Sequence, residues 1–95
     1  MFDQAKMVMQ LKKVQKELAN EIVEVSAGDD AVIVQVNGEL KLKKVTIDPS
    51  RVDVDDIQEL ERWVEAAVRD ALQRAQELAA EKMKPYMGAL GNFTK

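Results

Sequence analysis

The stretch Val32–Ser50, VIVQVNGELKLKKVTIDPS, constrains this chain more than any other. Asn37-Gly38 separates two strand-like runs, and a type I′ turn needs φ > 0 at both central positions, which Asn and Gly tolerate best. Such a turn predicts Val36 opposite Glu39, Val34 opposite Lys41 and Val32 opposite Lys43. In that register Val32, Val34, Val36, Val45 and Ile47 share one face, while Ile33, Leu40 and Leu42 share the other. A two-stranded hairpin is marginal alone, so helices are expected on one face and a second chain on the other. Asp48-Pro49-Ser50 ends the strand, because proline holds the residue before it extended and donates nothing to a ladder.

Helical patterns flank this hairpin. From Phe2 to Asn20, Met7, Leu11, Val14, Leu18 and Ile22 recur at alternating four- and three-residue steps, a heptad seam. Lys12, Lys13 and Lys16 fall together on the opposite side, with Lys6 nearby. Ile22–Ser26 reads as a first strand, and Ala27-Gly28-Asp29-Asp30 as a turn by its Gly and Asp content. A second helix is predicted from near Asp53, with Asp55, Asp56 and Glu59 complementing its positive end. Its apolar series Ile57, Leu60, Val64, Val68, Ala71, Ala75 and Leu78 runs unbroken to Pro85, a length of about 40 Å. A compact domain of 95 residues has a radius of gyration of only about 12 Å, so this helix must overhang the sheet. The expected architecture is therefore α+β: an α-β-β-β-α domain over residues 1–84, a three-stranded antiparallel meander with two long helices, and a flexible tail over 85–95.

Composition excludes most chemistry. No cysteine or histidine is present, which removes disulfides, imidazole catalysis and nearly every transition-metal site. The acidic group Asp48, Asp53, Asp55, Asp56 and Glu59 lacks the glycine and spacing of a calcium loop, and Gly28 and Gly38 are isolated turn glycines rather than a phosphate cradle. No enzymatic role, cofactor, metal or small-molecule substrate is expected. No apolar run approaches the roughly 20 residues needed to span a bilayer, so a cytoplasmic protein without membrane contact is expected.

Charge is unevenly spread. The first 16 residues carry Lys6, Lys12, Lys13 and Lys16 against the single acid Asp3, whereas residues 48–65 hold seven acids against Arg51 and Arg62. A net charge of −3 argues against bulk polycation binding, so any nucleic-acid contact must come from local patches. The lysine face suits either a solvated helix exterior or a surface that tracks phosphates. A second basic group, Arg74, Lys82 and Lys84, sits toward the negative end of the long helix, which favours cations by itself. If the two helices are antiparallel, Lys6 joins Lys82 and Lys84 at one tip. Trp63, at the edge of the long stripe, suits either packing or an interface anchor.

Over nearly its whole length the chain resembles the YbaB/EbfC nucleoid-associated proteins. The resemblance rests on Gln10-Leu11-Lys12-Lys13-Val14-Gln15-Lys16-Glu17-Leu18, on Val32-x-Val34-x-Val36-Asn37-Gly38, on Lys44-Val45-Thr46-Ile47-Asp48-Pro49-Ser50, and on Asp70-Ala71 and Lys82-Met83 in the last helix. It implies a tweezer-like homodimer in the nucleoid whose projecting helices bind DNA with low or variable sequence preference, alter its conformation and affect gene expression. Carried onto this sequence, the DNA surface comprises Lys6, Lys12, Lys13 and Lys16, with Arg74, Lys82 and Lys84 as further candidates. Ile33, Leu40, Leu42 and Trp63 are the expected dimer contacts. The alternative is a dimeric protein-interaction module that uses its helical arms, with DNA contact incidental.

Overall fold

The computed structural model describes the backbone of residues 2–91 and the side chains of residues 4–86. The order is α1 (Phe2–Asn20), β1 (Ile22–Ala27), β2 (Val32–Asn37), β3 (Leu42–Ile47), a 3₁₀ turn at Pro49–Arg51, and α2 (Ile57–Gly91). The strands form one antiparallel sheet in the order β1-β2-β3. This is the expected α-β-β-β-α arrangement. The radius of gyration is 18.1 Å and the longest extent 63 Å, well beyond a compact chain of this length, because α2 overhangs the sheet.

The core lies between α2 and the first two strands. Val25, Val32, Val34 and Val36 meet Ala67, Ala71 and Ala75, with Leu60, Trp63, Val64, Val68 and Leu72 around them. The three alanines recur every fourth residue and so form one narrow stripe. Their small side chains let the helix lie close on the valines. Trp63 lies flat against Gly28, where an added Cβ would come within 2.4 Å of the indole, so its role here is packing within the chain.

The two turns exchange the roles assigned to them. The paired positive φ values fall at Asp29 (53°) and Asp30 (69°), with Gly28 O accepting from Ala31 N at 3.1 Å, the pattern of a type I′ turn. At the second hairpin only Leu40 has positive φ, 66°. Leu40 N donates to Asn37 O and Asn37 N to Lys41 O, both at 3.0 Å, which closes a three-residue loop over Gly38, Glu39 and Leu40. A further irregularity falls between Gln35 and Val36. The pairing is consequently Val36 with Leu42, Val34 with Val45 and Val32 with Ile47, not with Glu39, Lys41 and Lys43.

Asn37 explains the departure. It is 2% exposed, and its Oδ1 accepts from Glu39 N at 2.9 Å and Lys41 N at 3.0 Å while its Nδ2 donates to Ala19 O at 3.2 Å. Gly38 N donates to Leu18 O at 2.8 Å, and a Cβ on Gly38 would stand 2.7 Å from that same oxygen. The Asn-Gly pair thus supplies donors to carbonyls of the last turn of α1, that of Ala19 and that of Leu18, which also accepts from Glu21 N at 3.2 Å. It serves as the socket for a helix end, and the loop takes the shape that this contact requires.

The corrected register also moves the apolar residues. Leu42 joins Val45 and Ile47 on the face that carries α2, instead of sharing the opposite face with Ile33. That opposite face is mostly polar: Gln35 Nε2 donates to Glu24 Oε1 at 2.8 Å, and Ser26, Lys44 and Thr46 surround Ile33. The sheet is therefore not apolar on both sides.

At the other end, Asp48 accepts from Ser50 N at 3.0 Å and Ser50 Oγ at 2.7 Å. Arg51 links this turn to the first hairpin, with its Nε 3.4 Å from the Asp48 carboxylate and its guanidinium donating to Asp29 O at 3.0 Å. Helix α2 begins at Ile57 rather than near Asp53, because Asp53 is spent on a turn and Asp56 Oδ1 accepts from Glu59 N at 3.2 Å as the N-cap. Nor does α2 stop at Pro85, which lies inside it. The missing proline N–H leaves only the Glu81 carbonyl without its helical donor, and Glu81 and Pro85 are both exposed, so water can take that place. Of the tail expected to be flexible, residues 92–95 lie outside the described residues.

Replacing Asn37 by Asp keeps both acceptor bonds but turns a carboxylate oxygen toward the Ala19 carbonyl. Urea unfolding should show a loss of about 2 kcal/mol; an unchanged midpoint would mean that the junction carries no stability. Ser50's hydroxyl and N–H, aided by the Arg51 charge, hold the Asp48 carboxyl below the usual carboxylate range. A depressed folded value stabilises above the unfolded value of about 4 and is lost as pH falls through the folded one. The stability difference between wild type and Asp48→Asn should therefore be constant near neutrality and shrink in acid, as urea midpoints at the two pH values would reveal.

Candidate nucleic-acid interface

Helix α1 owes its position to its C-terminal half. Val14 and Leu18 are buried at 5% and 6% exposure, and Met7 and Leu11 are half-buried, so these four seam residues face inward, whereas the fifth, Ile22, opens β1 and is 50% exposed. Lys12, Lys13 and Lys16 then face solvent, and Lys6 is exposed as well. Lys12, Lys13 and Lys16 enter none of the ion pairs found among the described residues. Three ammonium groups within five residues, fixed on a helix whose other side is anchored, give a row of point charges of the kind that meets phosphates.

The α2 candidates differ in environment. Lys82 is half-buried between Glu21 at 3.3 Å and Glu17 at 4.0 Å, tying α2 to the end of α1. By the helical rise, Lys6 lies about 16 Å farther along α1, so Lys6 and Lys82 do not meet at one tip. Arg74 shares a shallow surface depression with Asp70, Gln73 and Glu77, and the two carboxylates offset its charge. Lys84 is exposed.

The four expected dimer contacts do not share a surface. Ile33 is half-buried on the polar face, Leu40 is 42% exposed in the loop, Leu42 is 56% exposed on the face that carries α2, and Trp63 packs on Gly28. What stands open is the part of the inner face that α2 does not reach, where Leu42, Val45 and Ile47 are exposed at 56%, 39% and 42%. Val54 and Ile57, 76% and 49% exposed, precede and open α2 at the sheet end where Arg51 holds the first turn.

Lys41, Lys43 and Lys44 are also exposed and were not among the candidates. The run Lys41-Leu-Lys-Lys signals them in the sequence, but in the expected register these lysines only alternated along a strand. Among the described residues no group of acids, histidines or cysteines is arranged to hold a metal ion, and no helix is long and apolar enough to cross a membrane.

A single antiparallel sheet backed by one long helix, with a shorter lysine-faced helix socketed into its hairpin, defines a small α-β-β-β-α protein with projecting helical arms. The chain belongs to the YbaB/EbfC DNA-binding family, whose profile matches residues 1–90. A nucleoid-associated protein of Chloroflexus aurantiacus is 44% identical over 84 residues, covering 88% of this chain and 84% of that protein. Another, from Saccharopolyspora erythraea, is 52% identical over 86 residues, covering 90% and 74%. The crystal structure of an uncharacterized protein from Helicobacter pylori shares the fold with a TM-score of 0.69 at 19% identity, covering 82% of this chain and 90% of that one.

Proposed function

We propose that this protein is a nucleoid-associated, DNA-binding architectural protein that acts as a homodimer in the nucleoid. Lysines on its helical arms contact phosphates rather than base edges, so sequence preference is low or follows DNA shape. By changing DNA conformation, the dimer contributes to nucleoid organisation and to regulation of gene expression. The observation that carries this reading is the exposed row Lys12, Lys13 and Lys16 on a helix anchored from its other side, in a chain of a DNA-binding family.

The acidic net charge is compatible with this function because the densest group of acids lies away from the lysine row. The Asp48–Asp56 segment sits at the Val32 end of β2, whereas α1 docks at its Asn37 end, about 17 Å away along the strand. That distance exceeds the Debye length at physiological salt, so the acidic end is largely screened from the lysine row. Nothing in this arrangement calls for catalysis, and we assign the protein no enzymatic role, cofactor or small-molecule substrate.

A second reading, a dimeric protein-interaction module with DNA contact incidental, draws on Val8 and Met9, 50% and 71% exposed on the outer part of α1. Competition separates the two: a protein partner whose binding DNA does not displace would favour it.

Binding to random and A·T-rich duplexes should weaken steeply with salt. Replacing Lys12, Lys13 and Lys16 with Ala should lower the slope of log affinity against log salt by roughly 0.9 for each lost phosphate contact. A mobility-shift series without binding at low salt, or a triple variant that binds as wild type does, overturns the proposal. The Glu17→Gln/Glu21→Gln variant, which removes two negative charges beside Lys82, should bind severalfold more tightly at low salt, with the gain fading as salt rises.

A further inference from the structure

Asn37-Gly38 is the one Asn-Gly pair in the chain, since Asn20 and Asn92 are followed by Glu and Phe. An asparagine before glycine is open to a self-reaction, because no side chain crowds the glycine nitrogen as it closes on the asparagine amide carbon Cγ. Both partners in that reaction are engaged in the socket for α1. The Gly38 N–H is shared between Leu18 O at 2.8 Å and Glu21 O at 3.2 Å, so the nitrogen faces two carbonyl oxygens that oppose its deprotonation. Asn37 is 2% exposed, and its Nδ2 is tied to Ala19 O at 3.2 Å, which fixes the amide and keeps water from it. Its Oδ1, in contrast, accepts from Glu39 N and Lys41 N. Two donors on a carbonyl oxygen stabilise the negative charge it gains when its carbon is attacked. Those donors belong to the loop, whereas the restraints on Gly38 N and Asn37 Nδ2 come from the end of α1 and the residue that follows it.

We propose that Asn37 is a deamidation site gated by α1, inert while the helix is docked and reactive once it lifts from the hairpin. On undocking, Gly38 N loses its proton and bonds to Cγ, the Cγ–Nδ2 bond breaks, and ammonia leaves with that proton. Water, the only co-reactant, then opens the cyclic imide at either carbonyl to leave aspartate or isoaspartate. Neither product reseats α1 as before. Both put a carboxylate where Nδ2 had donated to Ala19 O, and isoaspartate also adds a methylene to the main chain ahead of Gly38 N. A buried carbonyl facing a carboxylate without a donor between them is unfavourable, so each event leaves the lysine-bearing helix permanently looser.

The test is peptide-mapping mass spectrometry of the full chain incubated at mildly alkaline pH, with loss of Asn37 followed in native buffer and in unfolding urea. Wild type is compared with Val14→Ala and Lys82→Gln. Val14 anchors the inner side of α1, and Lys82 ties α2 to Glu17 and Glu21; neither is ion-paired or hydrogen-bonded to the hairpin through its side chain among the described residues. Fluorescence of Trp63, which packs on Gly28 in the other hairpin, verifies that the sheet and α2 stay folded in each variant. A reaction that requires local opening runs in proportion to the open fraction. Native wild type should therefore lose Asn37 at least about tenfold more slowly than the unfolded chain, and each variant should react severalfold faster than wild type in native buffer. Equal rates for native and unfolded wild type overturn the protection. Variants with native Trp63 fluorescence that react no faster than wild type overturn the gating by α1.

Discussion

Four hydrogen bonds made by two residues decide how the molecule is put together. Asn37 Nδ2 reaches Ala19 O, Gly38 N reaches Leu18 O, and Asn37 Oδ1 holds the loop that makes both possible. A helix end leaves carbonyls unpaired, and burying them without donors costs more than any one bond returns. The hairpin provides those donors, so α1 leaves the sheet at a defined place. Val14 and Leu18 then turn its seam inward and its lysines outward. The placement of the basic row is thus a consequence of buried backbone polarity at a site some distance from any lysine.

The second organising fact is the narrowness of α2's contact with the sheet. Ala67, Ala71 and Ala75 bring the helix down onto β1 and β2. One helix is about 10 Å wide and neighbouring strands are about 4.8 Å apart, so a helix centred on two strands does not shield a third. The inner face of β3 is left as a continuation of the core that α2 covers only in part, with Leu42, Val45 and Ile47 exposed at 56%, 39% and 42%. That geometry supports a dimer more directly than the two-faced sheet expected from the alternating pattern, because the uncovered residues adjoin valines that are already buried.

Much of the architecture was legible in the residues. The α1 span, the three strands, the valine face of β2 and the capping role of the acids before α2 follow from periodicity and turn chemistry, and the family was signalled by the resemblance of the chain's motifs to its members. The hairpin register was not legible. Asn-Gly carries the same local signal whether it forms a tight turn or receives a helix end, and the deciding contact comes from Leu18 and Ala19, 18 or more residues away. Ala67 was missed for a related reason: alanine adds little to an apolar periodicity, yet its small size sets the distance between helix and sheet. Among the candidate lysines, Lys12, Lys13 and Lys16 emerge exposed together, whereas Lys82 is engaged by Glu17 and Glu21, a pairing between the two ends of the chain that spacing along one helix cannot reveal.

Local physics alone therefore determined which segments are helix or strand and which side of α1, β2 and α2 is apolar, because those properties depend on neighbours within a few residues. It also determined the unequal distribution of charge. The tertiary structure decided how the segments are joined: which hairpin takes the mirror-image turn, which strand goes uncovered and which lysines are free. Those outcomes depend on donors and acceptors that meet only after the chain has folded back on itself, and the cost of leaving a buried carbonyl unpaired outweighs the preference of any single turn.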